Sequence, residues 1–253
     1  MLLHGWMASA DLNWSATYTA LERAGYRVLA IDHRGHGRGL RPIEKFRLSD
    51  CAADAAAVLR ALGVAPAIVV GYSMGGAIAQ LVAHEHPDVV RGLVLSGTAQ
   101  HWQEPEVKRR FRGLGLLGLT LSVAPRASWQ AGFKRLGLKT SPRTVWLHSE
   151  LMRHSATDIA EAGRELGRFD SRPWAASVAA PVAVVLTTRD ELVPPRKQRE
   201  LAEAYGAQVF EAPIRHIELT VDADKYNPAL LAGIAAVTGE TTPQTGRVAS
   251  AAG

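Results

Sequence analysis

Gly71-Tyr72-Ser73-Met74-Gly75-Gly76 decides how the rest of this 253-residue chain is read. Ahead of it lies Ala67-Ile68-Val69-Val70, a short apolar run between Pro66 and Gly71 whose β-branched residues predict a buried strand. Behind it lies Ala77-Ile78-Ala79-Gln80-Leu81-Val82-Ala83, which predicts a helix. The serine therefore sits on a strand-to-helix corner, the context that gives G-x-S-x-G its meaning. A turn this sharp lifts the hydroxyl clear of its neighbours. Gly71 and Gly75 suit the corner because a Cβ at either place would collide across it. The helix start behind Ser73 offers unpaired N–H groups and a positive dipole end, both suited to an oxyanion.

Working outward, strands and helices alternate. Met1-Leu2-Leu3 reads as the end of a strand leading into His4-Gly5-Trp6. Asn13 to Ala24 predicts a helix closed by Gly25, and Tyr26 to Ile31 a strand entering the loop Asp32-His33-Arg34-Gly35-His36-Gly37-Arg38-Gly39. A helix from Ser49 to Leu62 precedes the central strand. After the helix at 74–86, Val90 to Leu95 is another strand, ending at Ser96-Gly97-Thr98. Later come a strand at Pro181–Leu186, a helix at Pro195–Tyr205, a strand at Ala207–Glu211 and a helix over 224–237. This order predicts an α/β fold, a mostly parallel sheet with helices on both faces. Between 99 and 173 the alternation stops and only helical periodicity remains. We expect a core from 1–98 and 174–237, a helical cap at 99–173 over the carboxyl edge of the sheet, and a disordered tail at 238–253.

The chain is long enough for one α/β domain with a sizeable core, and 47% hydrophobic with 21% charged residues is ordinary for a soluble globular protein. The formal charge is +5, and residues 100–173 carry 13 Lys/Arg against 7 Asp/Glu, so the cap holds the entire basic excess. No nucleic-acid motif accompanies it, which predicts no nucleic-acid partner. Lys108-Arg109-Arg110-Phe111-Arg112 followed by the apolar run Gly113–Ala124 reads as a buried cap helix; the alternatives are an acyl-pocket lining or a contact with a membrane surface. Gly113-Leu114-Gly115-Leu116-Leu117-Gly118 formally matches G-x-G-x-x-G, but no strand precedes it and no acidic residue follows at the right distance, so nucleotide binding is rejected. The single cysteine, Cys51, reads as a buried structural thiol and suits a reducing compartment. No apolar run reaches the roughly 18–20 residues of a membrane span and no signal peptide is visible, so the expectation is cytoplasmic. Asp32, His33 and His36 match no metal signature. Asp32 and Arg34 read as loop-ordering groups, and His4 as a brace for its loop. Asn13-Trp14-Ser15 is a glycosylation sequon by pattern only.

A serine hydroxyl is a weak nucleophile near neutral pH and needs a base, for which histidine is suited, and an acid to fix the tautomer of that base. In a parallel sheet such groups belong at the carboxyl ends of strands. Ser73, Asp190 and His216 each follow a predicted strand and occur in the order Ser, Asp, His expected for a hydrolase built on this corner.

On these residues the sequence resembles the α/β-hydrolase fold superfamily, in its esterase, lipase and haloperoxidase-like branch. The matching stretches are Leu2-Leu3-His4-Gly5-Trp6, Asp32-His33-Arg34-Gly35-His36-Gly37, Gly71 to Gly76, Thr188-Arg189-Asp190-Glu191-Leu192-Val193-Pro194 and Arg215-His216, in the order the family has them. The resemblance implies Ser73 as nucleophile, His216 as base, Asp190 as orienting acid and the backbone N–H groups of Trp6 and Met74 as the oxyanion hole. It implies hydrolysis of a carboxylic ester or related acyl compound, with a small apolar acyl substrate and no metal or organic cofactor. Carbon–carbon bond hydrolysis, lactone hydrolysis, perhydrolysis, acyl transfer and a catalytically silent binding protein stay open. Two features depart from the family pattern. The strands usual before the His-Gly loop are missing from this sequence, so Trp6 is expected to hang from a three-residue stub. Arg215 stands where a glycine often precedes the histidine, bringing a cation close to the base.

Overall fold

The computed structural model describes residues 1–104, 114–135, 139–220 and 222–239. Six strands form one sheet: β1 (Leu2–Leu3), β2 (Ala30–Ile31), β3 (Ala67–Tyr72), β4 (Val90–Ser96), β5 (Val182–Thr187) and β6 (Gln208–Ala212). Their order across the sheet is β2-β1-β3-β4-β5-β6, and every pairing is parallel. The helices of the sheet are α1 (Ala10–Arg23), α2 (Leu48–Ala61), α3 (Met74–Glu85), α8 (Pro195–Tyr205) and α9 (Ala223–Thr238). Between β4 and β5 lie α4 (Leu114–Val123), α5 (Pro125–Arg135), α6 (Pro142–Leu151) and α7 (Ala156–Leu166).

The strand sequences are apolar throughout because both faces of the sheet are covered. Side chains alternate across a strand, so neighbouring residues enter different cores. Leu3, Val69, Leu93 and Val184 pack into the core with Leu59, Met74, Ile78 and Leu201 of α2, α3 and α8. Leu2, Val70, Val94 and Val185 pack into the other core with Trp14, Leu21, Tyr226 and Leu230 of α1 and α9. Each such side chain, fully buried, contributes about 1.5–3 kcal/mol.

Three expectations need correction. The predicted strand Tyr26–Ile31 is reduced to Ala30–Ile31. A strand exists only where it has a partner, and its neighbour β1 spans two residues. The first helix begins at Ala10 and not at Asn13, because Ser9 caps it, its hydroxyl accepting from Leu12 N–H at 3.1 Å. The last helix runs to Thr238 and ends at Gly239 in the left-handed region (φ 70°), one residue into the predicted tail. The rest of that tail, 240–253, and the basic cluster Lys108–Arg112 with Gly113 lie outside the described residues.

The short β1 is an interior strand. Leu2 N–H donates to Leu29 O and Val70 N–H to Met1 O, both at 2.8 Å, so it is held on both sides. Beneath it, at the amino end of the sheet, a cavity of about 680 Å³ is lined by residues including Leu29, Leu59, Val64, Ile68 and Arg91. No strand carboxyl end and no triad candidate lines it. Among the described residues, no helix is long and apolar enough to cross a membrane.

Candidate active site

Ser73 sits between β3 and α3 with φ 55° and ψ −118°, one of two non-glycine residues with positive φ among those described. A backbone in this region costs an L-residue on the order of 1–3 kcal/mol and persists only where surroundings impose it. Here they do. Ser73 N–H donates to Ser96 O at 2.9 Å, and its carbonyl accepts from Thr98 Oγ1 at 2.8 Å. The flanking glycines allow the close packing. A Cβ at Gly71 would fall 2.2 Å from Gly75 O, and one at Gly75 only 2.1 Å from Leu3 O. The second contact presses the start of α3 against β1, and so brings the loop after β1 beside Ser73.

The other two candidates converge on the serine from later strand ends. His216 Nε2 lies 2.9 Å from Ser73 Oγ, and His216 Nδ1 lies 2.7 Å from Asp190 Oδ2. A carboxylate oxygen accepts, so the imidazole proton sits on Nδ1 facing Asp190 and Nε2 is left to accept from Ser73. The Asp190 side chain is fully buried, and four donors compensate its charge. Leu192 and Val193 N–H donate to Oδ1 at 2.9 and 2.8 Å, and Thr187 Oγ1 donates to Oδ2 at 2.7 Å beside the imidazole. Tyr72 ties the histidine loop to the corner by donating its hydroxyl to His216 O at 2.5 Å. Burial first, then the charge of Asp190, push the Tyr72 phenol well above its usual range, so it remains a donor. Arg215, the unexpected cation, turns to Glu191 in an exposed ion pair at 3.4 Å.

The loop carrying Trp6 is braced despite the short strand beneath it. Gly5 N–H donates to the buried Asn13 Oδ1 at 2.8 Å, and a Cβ on Gly5 would lie 3.4 Å from that of Ser73. His33 N–H donates to His4 Nε2 at 3.0 Å, which leaves the Nδ1 proton of His4 to donate to Gly5 O at 2.8 Å. Trp6 Nε1–H reaches into the insertion and donates to Ile159 O of α7 at 2.8 Å. Met74 is the first residue of α3, where an N–H has no intrahelical acceptor. The structure thus brings Ser73, Asp190 and His216 into one chain of contacts and sets the Trp6 loop and the α3 start against the serine.

Further contacts seat the insertion on the core. The buried Glu150 of α6 accepts from Ser9 Oγ at 2.8 Å and pairs with Arg38 and Arg153 at 3.3 and 3.1 Å. Ser155 N–H donates to Gly35 O at 2.9 Å. Asp32 orders its loop, accepting from Ala10 N–H at 2.6 Å and Arg38 N–H at 2.7 Å. Arg34 holds Asp54 and Asp50 of α2. Leu121 of α4 is buried, whereas Leu119 and Val123 are exposed, so this helix is not buried on all sides.

Cys51 is buried, and burial pushes its thiol well above the usual range, which leaves it a poor nucleophile. Among the described residues no three His, Cys, Asp or Glu side chains are arranged to hold a metal ion. Asn13 and Trp14 are both buried, which removes the sequon from the surface. Several positioning residues escaped sequence reasoning. Asn13 was visible only as a helix residue and part of a sequon, Thr98 only as a strand end, and Thr187 and Gln198 carried no motif at all.

The family model of the alpha/beta hydrolase fold matches residues 1–216. A non-heme haloperoxidase of Rhodococcus erythropolis is 30% identical over 251 residues, covering 92% of this chain and 91% of the relative. The enol-lactonase of Burkholderia xenovorans superposes with a TM-score of 0.74 at 25% identity, over 92% of this chain and 89% of that one. A hydrolase from Pseudomonas aeruginosa superposes with a TM-score of 0.77 at 24% identity, over 92% and 88%, and supports the fold alone. By its parallel sheet, its serine corner and this match over most of its length, the chain belongs to the alpha/beta hydrolase fold family.

Proposed function

We propose that the protein is a serine hydrolase that cleaves a carboxylic ester or related small, apolar acyl compound through an acyl-enzyme on Ser73. The observation that carries this is the unbroken relay of Ser73 Oγ to His216 Nε2 at 2.9 Å and His216 Nδ1 to Asp190 Oδ2 at 2.7 Å. His216 takes the Ser73 proton as Oγ attacks the carbonyl carbon. The resulting oxyanion is held by the Met74 and Trp6 backbone amides, each such donor being worth about 2.7–4 kcal/mol in the transition state. His216 then gives its proton to the leaving group, and activates the water that frees the acyl group. Asp190 holds the ring in the productive tautomer and offsets the charge of the imidazolium. Every step uses side chains or backbone amides of this chain. A serine at the corner supplies no carboxylate nucleophile, which argues against alkyl-enzyme chemistry.

The direct test is labelling with a fluorophosphonate, followed by mass spectrometry. Covalent label on Ser73 in the intact protein, and none in Ser73→Ala, is the expected result. An unlabelled wild type beside a reactive control serine hydrolase overturns the proposal. A lactone is a second acyl source, motivated by the enol-lactonase neighbour. Comparing aryl esters of rising chain length with lactones of matched size separates the two readings.

A further inference from the structure

Asp190 has a fourth donor that no sequence motif announces. Thr187, the last residue of β5, donates its hydroxyl to Asp190 Oδ2 at 2.7 Å, the same oxygen that receives His216 Nδ1. Behind it stands Gln198 of α8, fully buried. Gln198 Nε2 donates to Thr187 Oγ1 and to Val193 O, both at 2.8 Å, and Gln198 Oε1 accepts from Thr187 N–H at 2.9 Å. These contacts assign every proton. Thr187 N–H requires an acceptor, so the amide oxygen faces it and the NH₂ group faces the hydroxyl. The NH₂ group can only donate, so the one hydroxyl proton of Thr187 must point at Asp190.

We propose that Thr187, oriented by Gln198, is a positioning residue that sets the strength of the Asp190–His216 contact. This rests on the reading of Ser73, His216 and Asp190 as the acting triad. Two donors share Oδ2. The Thr187 hydrogen bond withdraws charge from that oxygen and fixes the lone pair left for the imidazole. Gln198 polarises the hydroxyl in turn, as successive hydrogen bonds in a buried chain reinforce one another. The same amide holds Val193 O, and Val193 N–H feeds Asp190 Oδ1, so one buried side chain orders both sides of the carboxylate. Without the Thr187 donor, Oδ2 carries more charge and stabilises the imidazolium more strongly. The acid limb of activity then moves to higher pH, and the Oδ2 lone pair is less well aimed.

Thr187→Val, Thr187→Ser and Gln198→Met test this, with ¹⁵N-histidine spectra and kcat/KM for an aryl butyrate followed from pH 5.5 to 9 and the fold checked by circular dichroism. Thr187→Val is expected to displace the His216 titration curve and the acid limb upward by about half a unit to one unit. It should also lower kcat/KM about tenfold at its optimum. Thr187→Ser should restore both, since it keeps the hydroxyl. Gln198→Met should move the curve in the same direction by less. An unchanged His216 curve in folded Thr187→Val overturns the proposal, even if activity falls. So does failure of Thr187→Ser to restore the curve. The spectra need no turnover. A wild type that cleaves no acyl substrate and resists fluorophosphonate therefore defeats the hydrolase reading, while the His216 curve still decides the role of Thr187.

Discussion

Lowering the pH from 7.5 to 5 should destabilise this protein strongly, because of four neighbouring histidines. His4, His33, His36 and His154 form a chain of rings with centroids 4.2 Å apart for His4–His33 and 5.5 Å for His4–His36 and His36–His154. They link the loop before Trp6 to the end of α6. Burial above all, then the neighbouring histidine in each case, lowers His33 and His36 from 6.5 to about 3. His4 is lowered well below 6.5 by burial, then by His33 and His36. Asp32 and Asp54 oppose the effect weakly at His33, and Arg41 adds to it at His36. The unfolded chain therefore binds more protons below pH 6.5, and stability falls with pH throughout the window from 6.5 down to about 3. At pH 5 each ring held at about 3 and released to 6.5 costs about 2 kcal/mol, so His33 and His36 together cost about 4 kcal/mol. His154 is lowered to about 4 but lies partly exposed at the edge, so its share is smaller. Against a total stability of about 5–15 kcal/mol, this loss is large. Urea unfolding at 25 °C, followed by tryptophan fluorescence at pH 7.5, 6.5, 5.5 and 5, reads it directly. The decisive variant is His33→Phe, since among the described residues neither ring nitrogen of His33 has a hydrogen-bond partner. It should fold normally at pH 7.5 and shrink the difference between pH 7.5 and 5 by about 2 kcal/mol. A wild type losing less than about 1 kcal/mol over that range, or a His33→Phe variant with an undiminished loss, refutes the reasoning.

Two further outcomes follow from contacts around the site. Gly75→Ala drives a methyl to within 2.1 Å of Leu3 O, a backbone atom that cannot step aside. It should lower stability by about 3 kcal/mol, seen as a reduced urea midpoint at unchanged slope. Glu150→Ala strands Ser9 and frees Arg38 and Arg153, whose side chains are 53% and 45% exposed and can rehydrate. The cost should therefore lie near 2 kcal/mol, below that of breaking a fully buried pair, and Glu150→Gln should recover about half of it by calorimetry.

Some of this was legible from residue order alone. Three strand ends carrying Ser73, Asp190 and His216, in that order, lead to one edge of a parallel sheet, because every parallel strand delivers its carboxyl end to the same side. The extent of β2 was not legible. Tyr26 to Leu29 has the composition of a strand, but pairing depends on how far β1 runs beside it. Nor was the start of α1, which depends on the Ser9 cap, or the bracing of Trp6, which comes from Asn13, His4 and Ile159, up to 153 positions away.

The parallel sheet, the serine corner and the three candidate side chains could be read from the sequence, since apolar runs, glycines and strand order are local properties of the chain. Tertiary structure alone decided how those side chains are aimed. Thr187 and Gln198 carry no pattern, yet packing α8 against β5 makes them the groups that orient Asp190. Neighbours on both sides hold β1, and the loop beyond it is fixed by partners from α1 and α7. Orientation over such separations follows from which surfaces pack together, a property of the folded chain and not of any one stretch of it.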